Sequence, residues 1–213
     1  MPKQNMRIII FGSTGSVGQQ LVAQALESGY SVTAFVRNAE KLKAIQNKNL
    51  QLSQGDVLNY FSVLEAVKGH DGVLCSLGAG RKGIVRSKGT ENIINSMKQS
   101  GIRRLICQST LGAGDSIGNL NFFWKQIMFR WVLKEALVDH ELQEQHVMSS
   151  HLDWTIVRPG AFINGNATGN FHHGFDSTDK SIKLKISRAD VAFFMLKQLQ
   201  TNTYLRKTPG LSY

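Results

Sequence analysis

Cysteine and long apolar runs are both scarce in this sequence. Its 213 residues include two cysteines, Cys75 and Cys107, which cannot form a disulfide framework and match no metal-binding spacing. We expect buried, reduced thiols and a cytoplasmic protein. The longest apolar runs, such as Ile8–Phe11, are far shorter than the roughly 20 residues that cross a bilayer. The first residues lack the pattern of a signal peptide, so we expect no membrane partner.

Acidic residues are also scarce relative to basic ones. The chain has 25 Lys and Arg against 15 Asp and Glu, which gives a formal charge of +10. Such a charge suits nucleic acid, acidic membrane surfaces or a polyanionic small molecule. The basic residues are scattered, however, and no nucleic-acid-binding module is recognisable. We therefore expect a small-molecule partner rather than nucleic acid, bound by a monomer or a homodimer.

Strand-like apolar runs alternate with segments of helical periodicity, which predicts βαβ crossovers and a parallel sheet. The predicted strands are Arg7–Phe11, Ser31–Val36, Leu50–Ser53, Asp71–Leu77, Arg104–Gln108 and Trp154–Val157. The predicted helices are Val17–Ser28, Ala39–Gln46, Tyr60–Lys68, Thr90–Ser100, Phe122–Ser150 and one from Ser187 to about Gln200, and residues 165–179 are predicted to form a loop. We expect one α/β domain over residues 1–213, a Rossmann-like doubly wound fold with a mainly parallel sheet flanked by helices.

A glycine-rich turn joins the first predicted strand to the first predicted helix. In this context, glycines allow a tight turn and a close approach of a dinucleotide pyrophosphate to the first helical amides. We expect unusual backbone angles at Gly15. A turn without any ligand is the alternative, and the absence of a Walker lysine disfavours an ATPase or GTPase. The turn comprises Gly12, Ser13, Thr14, Gly15, Ser16, Val17 and Gly18.

The residue that follows the second predicted strand favours NADP(H) over NAD(H). An NAD-specific site places an acidic side chain there to bind the ribose 2′-hydroxyl. This chain has Arg37, 19 residues beyond Gly18, with Lys41 one helical turn further on. A guanidinium can bind a 2′-phosphate through two parallel hydrogen bonds. The alternative is a solvated surface arginine.

Together these features resemble an atypical short-chain dehydrogenase/reductase. The chain is similar in particular to the NAD(P)-binding group that contains flavin reductase/biliverdin reductase B and NmrA-like NAD(P)H-binding proteins. The resemblance covers nearly the whole chain and implies the fold and the cofactor, not a substrate. It is carried by the glycine turn, Val36-Arg37, Gly55-Asp56-Val57, Gly78, Ser109-Thr110, residues 152–160 and residues 186–192.

The resemblance also implies roles for individual residues. Asp56 and Val57 would contact the adenine, although Asp56 could instead cap the helix that follows. Further residues would line the ribose and nicotinamide side of the site. These are Ser76, Leu77, Gly78, Ser109, Pro159, Gly160 and Ala161.

Ordinary short-chain dehydrogenases use a Tyr-x-x-x-Lys pair for proton transfer, and this sequence has none. Counting back from Leu152, the two slots fall on Ala136 and His140. The remaining candidate proton donors are Ser109, Thr110 and His140, the last expected to titrate near neutrality. Alternatively, Ser109 and Thr110 cap the next segment, and His140 pairs with Glu144 on a helix surface.

Two further groups of residues suggest an acceptor site. Basic residues after the fourth predicted strand have no acid among them and could attract an anionic substrate, or form a solvated loop. They are Arg81, Lys82, Arg86 and Lys88. Aromatic residues at the start of the long predicted helix are expected in the core or facing a partner, with one or two stacked on an acceptor ring. They are Phe122, Phe123, Trp124, Phe129 and Trp131.

Two functions fit these observations. The first is an NADPH-dependent reductase that transfers a hydride to a planar, anionic acceptor such as a flavin or quinone, without a dedicated tyrosine acid. The second is a non-enzymatic NADP(H)-sensing regulator, similar to NmrA-like proteins, in which the cofactor biases partner binding. The missing Tyr-x-x-x-Lys pair favours the second function.

Overall fold

Strands and helices alternate through most of the computed structural model, which describes residues 6–80 and 83–213. The strands are β1 (Arg7–Phe11), β2 (Ser31–Val36), β3 (Leu50–Gln54), β4 (Gly72–Cys75), β5 (Arg104–Gln108), β6 (Asp153–Pro159), β7 (Ala161–Ile163), β8 (His172–His173), β9 (Lys185–Ser187) and β10 (Gly210–Ser212). The α-helices are α1 (Ser16–Glu27), α2 (Tyr60–Val67), α3 (Val85–Gln99), α4 (Lys134–Met148) and α5 (Arg188–Lys197). A π-helix spans Phe123–Val132, and 3-10 helices span Ala39–Leu42 and Gly114–Asn119.

Eight strands form one sheet in the order β3-β2-β1-β4-β5-β6-β10-β8. Neighbouring strands run parallel, except that β8 runs antiparallel to β10. The order reverses between β1 and β4, which is where ligands bind in doubly wound sheets, at the carboxyl ends of the strands. The predicted Rossmann-like α/β fold, mainly parallel and flanked by helices, is thereby confirmed.

The helices cover both faces of the sheet, so β1 is buried on both sides. Ile8 and Ile10 belong to one apolar cluster with residues of α1 and α5, whereas Ile9 and Phe11 belong to a second cluster with residues of α3. This division follows from the alternation of side chains along a strand. A third, smaller cluster contains Leu111, Leu120, Phe129 and Ile182.

The predicted helix over Phe122–Ser150 is wrong, because the structure divides it at Leu133. The π-helix ends there with a hydrogen bond of 2.7 Å from the Leu133 amide to the Met128 carbonyl, and α4 begins at the next residue. Neither a proline nor a glycine marks the division, so the sequence pattern alone does not reveal it.

Other element boundaries also differ from the predictions. The helix predicted over Ala39–Gln46 is a 3-10 helix of four residues. Helix α3 begins five residues before Thr90. Position 89 within this helix is glycine, and a Cβ atom there would lie 2.9 Å from the Leu77 side chain. The predicted loop over 165–179 contains the two-residue strand β8.

Candidate dinucleotide site

Packing dictates two of the three glycines in the turn between β1 and α1. Gly12 has a φ of +79°, and a Cβ atom there would lie 2.2 Å from the Ser76 carbonyl oxygen. A Cβ atom on Gly18 would lie 2.0 Å from the Gly12 carbonyl oxygen. Side chains at either position would therefore push α1 away from β1 or β1 away from β4.

Gly15 has a different role. Its φ of −74° is ordinary for any residue, so the expectation of unusual backbone angles at Gly15 is wrong. Gly15 occupies the N-cap of α1, where no side chain caps the helix. The Ser13 hydroxyl points inward and donates to the Phe35 carbonyl at 2.9 Å. The amides at the start of α1 thus have no side-chain cap to compete with an anion, as a pyrophosphate site requires.

A cleft of about 370 Å³ opens beside this turn, a volume within the roughly 300–1,000 Å³ of ligand pockets. The predicted site residues that line it are Gly12, Thr14, Gly15, Ser16, Val17, Arg37, Asp56, Val57, Ser76, Leu77 and Gly78. The predicted site residues that do not line it are Ser13, Gly18, Ser109, Thr110, His140, Pro159, Gly160 and Ala161. Lining residues outside the predicted set are Phe35, Val36, Lys41, Leu58, Val85, Gln108 and Phe162.

The position of Gln108 at the cleft is predictable from the sequence. It is the last residue of β5, and residues at the carboxyl ends of parallel strands gather at the ligand edge. The position of Phe162 at the cleft is not predictable from the sequence, because β7 has three residues and pairs with β9, which begins more than 20 residues later.

Arg37 and Lys41 border the cleft where β2 ends. Arg37 is exposed, and within residues 6–80 and 83–213 it forms no ion pair with a carboxylate. Lys41 lies on the 3-10 helix, which the Asn38 side chain caps by accepting from the Glu40 amide at 2.9 Å. Two cations therefore face solvent at this end of the cleft.

Asp56 borders the same cleft after β3. The alternative that Asp56 caps the following helix is wrong, because the Asn59 side chain caps α2 by accepting from the Ser62 amide at 3.0 Å. Asp56 Oδ1 instead accepts from the Leu58 amide at 2.9 Å, which fixes a turn at the cleft wall.

His140 and Ser109 lie together in the interior, and neither lines the cleft. His140 Nδ1 lies 3.5 Å from the Ser109 hydroxyl and 3.3 Å from Gln143 Oε1. Burial and then the charge of Arg86 lower the pKa of His140 to about 3, so the expectation that it titrates near neutrality is wrong. An imidazole that is neutral at pH 7 lacks the proton that an imidazolium donates in general acid catalysis. Thr110 directs its hydroxyl to the Leu111 carbonyl at 3.3 Å.

The expected surface pair between His140 and Glu144 is also wrong, because both side chains are buried. Glu144 accepts two hydrogen bonds from Arg158, at 2.9 and 2.6 Å. Burial lowers the pKa of Arg158, but Glu144 and Asp115 outweigh that effect, so its pKa lies above the ordinary arginine value. This ion pair connects α4 to β6, the last long strand of the sheet.

The proposed basic loop is largely neutralised in the described residues. The Arg86 side chain is buried, forms an ion pair of 3.3 Å with Asp139 and donates to the Gly80 carbonyl at 2.8 Å. Lys88 pairs with Glu91 at 2.7 Å. The expectation that Arg86 attracts an anionic substrate is therefore wrong, and Arg81 and Lys82 lie outside the described residues.

Another arginine lies close to the cleft. Arg188, the first residue of α5, has its guanidinium carbon 5.5 Å from the centre of the Phe162 ring, which lines the cleft. It donates to Asn164 Oδ1 at 2.9 Å, whereas its buried Nε has no hydrogen-bond partner. Within the described part of the chain, no carboxylate forms an ion pair with Arg188.

Metal chemistry gains no support from the described residues, since no group of three or more His, Cys, Asp or Glu among them could hold a metal ion. Cys75 and Cys107 are free and buried, as expected. They lie opposite each other on β4 and β5.

The glycine turn and the cleft lie within a segment that matches a known family model. Residues 12–202 match the model described as NAD(P)H-binding. The chain belongs to this family. Its membership confirms the resemblance to NAD(P)-binding Rossmann proteins and establishes that the family ligand is NAD(P)H.

Individual relatives and structures of the same fold give further comparisons. The UPF0659 protein YMR090W of Saccharomyces cerevisiae is 29% identical over 97% of this chain and 92% of its own length. Two plant relatives are longer, and the chain spans 62% and 42% of their lengths.

Two solved structures show the same fold. One is ChuY, described as an anaerobilin reductase from Escherichia coli O157:H7, with a TM-score of 0.80, 24% identity and coverage of 97% of both chains. The other is a short-chain dehydrogenase/reductase of Veillonella parvula in complex with NADP, with a TM-score of 0.81, 18% identity and coverage of 98% of this chain and 94% of that one.

Proposed function

We propose that this chain is an NADPH-dependent reductase that transfers a hydride to a planar, anionic acceptor of flavin or quinone type. The observation that carries the proposal is the cleft at the reversal point of the sheet. Arg37 and Lys41, which form no ion pair among the described residues, border the cleft at one end, and an aromatic ring with a neighbouring arginine borders it elsewhere. The reductase fold of ChuY supports the same reaction class.

The residues of the cleft suit NADPH in three places. The amides at the start of α1 would hold the pyrophosphate. Arg37 and Lys41 would bind the 2′-phosphate, Arg37 in a bidentate manner. Asp56 would border the adenine. When bound, the nicotinamide supplies the hydride; the chain's own residues position it and the acceptor.

The described side chains favour an acceptor that takes its proton from water. No tyrosine lines the cleft among the residues that the structure describes. His140 is neutral at pH 7 and Ser109 is buried behind the cleft wall, so neither is placed to protonate an alcohol or ketone. Flavins and quinones can complete their two-electron reduction with a solvent proton, and they need alignment more than a protein acid.

Arg188 replaces the basic loop as the group that would bind an anionic acceptor. It lies beside Phe162, on which a planar ring could stack, and it has no carboxylate partner among the described residues. An arginine in this position can bind a phosphate or carboxylate without first breaking an ion pair.

The test measures NADPH oxidation with FMN, riboflavin and a soluble quinone as acceptors. We expect turnover with at least one, and we expect Arg188→Gln to raise KM for FMN about tenfold, the loss of one charge-assisted hydrogen bond. KM for riboflavin, which lacks the phosphate, should not change. Tight NADPH binding without oxidation by any acceptor would instead favour the regulatory function.

A further inference from the structure

The π-helix carries an exposed apolar face that the proposed reductase activity does not use. Four large side chains lie on or beside this helix and point outward: Phe122 is 75% exposed, Phe123 50%, Ile127 45% and Trp131 78%. We call these four residues the aromatic face. Phe123, Ile127 and Trp131 recur every four residues, close to one helical turn, so they lie along one side of the helix.

The opposite side of the π-helix is packed onto the protein. Phe129 is buried in the third apolar cluster with Leu111, Leu120 and Ile182. Trp124 packs against the same cluster, with its ring centre 6.1 Å from that of Phe129. The helix therefore has large apolar side chains on its solvent side as well as on its buried side. Exposed apolar patches of this kind mark interaction sites.

The charge of the segment identifies the kind of partner. Between Asp115 and Glu135 the sequence has no acidic residue, but it contains Lys125, Arg130 and Lys134. A second copy of the chain docked through the same face would bring two segments of the same positive charge together. Such like-charge contacts disfavour an isologous dimer, whereas an anionic surface would attract all three.

We propose that the π-helix docks on the surface of an anionic lipid bilayer. The aromatic face would enter the boundary between headgroups and acyl chains, where Trp and Phe side chains are favoured. Lys125, Arg130 and Lys134 would bind lipid phosphates and carboxylates, with the net charge of +10 adding attraction at longer range. No helix of the described residues could span a membrane, so the contact would lie on the surface.

This docking departs from the expectation in the sequence analysis that the chain has no membrane partner. That expectation rested on the length of the apolar runs, which limits spanning and not surface binding. The proposal does not depend on the reductase activity.

The experiment measures binding to vesicles of phosphatidylcholine, with and without about one third phosphatidylserine. We expect sedimentation with the anionic vesicles only, at low salt. The double variant Phe122→Ser/Trp131→Ser should lose binding at least tenfold. The triple variant Lys125→Gln/Arg130→Gln/Lys134→Gln should lose about 100-fold, because each cation near an anionic surface contributes roughly fivefold.

Matched controls distinguish docking through the aromatic face from nonspecific hydrophobic adsorption and from misfolding. Phe61→Ser removes a ring that is 74% exposed on α2, outside the aromatic face, and should leave vesicle binding unchanged. All variants should keep the wild-type thermal unfolding midpoint, which reports an intact fold. Tryptophan emission should shift to shorter wavelength on anionic vesicles, and this shift should disappear in Trp131→Phe.

Three results would overturn the proposal. The first is a failure of the wild-type chain to bind anionic vesicles. The second is binding that both the face variants and Phe61→Ser retain, because the contact would then not involve the aromatic face. The third is concentration-dependent dimerisation, or binding to a single-stranded RNA oligomer, that the face variants abolish while vesicle binding persists.

Discussion

At the scale of the residue, we propose that Arg37 determines which dinucleotide the cleft prefers. It borders the cleft, is exposed and has no carboxylate partner within the described residues. We expect Arg37→Asp to lower NADPH affinity at least tenfold, about 1.4 kcal/mol, because the carboxylate removes the phosphate partner and repels the phosphate. NADH affinity should hold or rise, since aspartate can accept from a ribose hydroxyl. Paired fluorescence titrations measure both affinities.

The control for this prediction is Lys48→Asp, which makes the same charge change at an exposed position outside the cleft. It should leave the ratio of NADPH to NADH affinity at the wild-type value. If wild type already prefers NADH, or if Arg37→Asp keeps a preference for NADPH, Arg37 is a surface residue without a role in cofactor choice.

His140 makes stability depend on pH. Its pKa is lowered to about 3 from 6.5, so between these values the unfolded chain binds a proton that the folded chain does not. The free energy of unfolding should fall as pH decreases through this window, by about 1.4 kcal/mol per unit. We expect His140→Gln to reduce this slope, as measured by urea unfolding at about pH 6 and about pH 4.5. His151→Gln, at an exposed site, should keep the wild-type slope; equal slopes in His140→Gln and wild type would contradict a neutral buried imidazole.

At the scale of the element, different glycines of the turn are expected to serve packing and ligand binding. Gly15→Val should fold, because the backbone angles at Gly15 are ordinary, but the side chain would occupy the space of the pyrophosphate and abolish detectable NADPH binding. Gly18→Ala should instead destabilise the fold by about 1–3 kcal/mol, because its Cβ would lie 2.0 Å from the Gly12 carbonyl oxygen. Thermal unfolding and NADPH titration of both variants measure the two effects. Wild-type NADPH affinity in folded Gly15→Val would refute the location of the pyrophosphate site.

Elements with strong local patterns were predictable from sequence, and elements that depend on distant partners were not. Strands β1, β2 and β5 have the predicted bounds because each is a buried apolar run with turn residues at its ends. Strands β7, β9 and β10 have three residues each and exist only through their pairing with distant segments.

The same contrast holds for the candidate site. The turn, Arg37 and Asp56 are fixed by residues close in sequence, and the cleft includes them. The neutral state of His140 depends on burial and then on the charge of Arg86, which lies more than 50 residues away in sequence. The position of Arg188 beside Phe162 depends on the pairing of β7 with β9. Sequence spacing contains no signal for either arrangement.

At the scale of the whole molecule, a net charge of +10 surrounds a cleft whose proposed ligand is an anion. Such a field attracts any dinucleotide, and it attracts NADPH more strongly than NADH because the 2′-phosphate adds negative charge. A direct contact with the 2′-phosphate adds discrimination of shorter range. The long-range field and the local contact therefore differ in how strongly salt weakens the ratio of NADPH to NADH affinity.

Salt separates these two contributions. Screening shortens the Debye length from about 30 Å at 0.01 M to about 10 Å at 0.1 M, so both affinities should fall as salt rises. We expect the ratio of NADPH to NADH affinity to fall several-fold as well in wild type, because Arg37 is exposed and its contact with the phosphate is partly screened. In Arg37→Gln the ratio should start lower and fall less steeply over the same salt series, while both absolute affinities keep their salt dependence through the remaining charge. A ratio in Arg37→Gln that falls as steeply as in wild type would assign the preference to the field of the whole protein and not to Arg37.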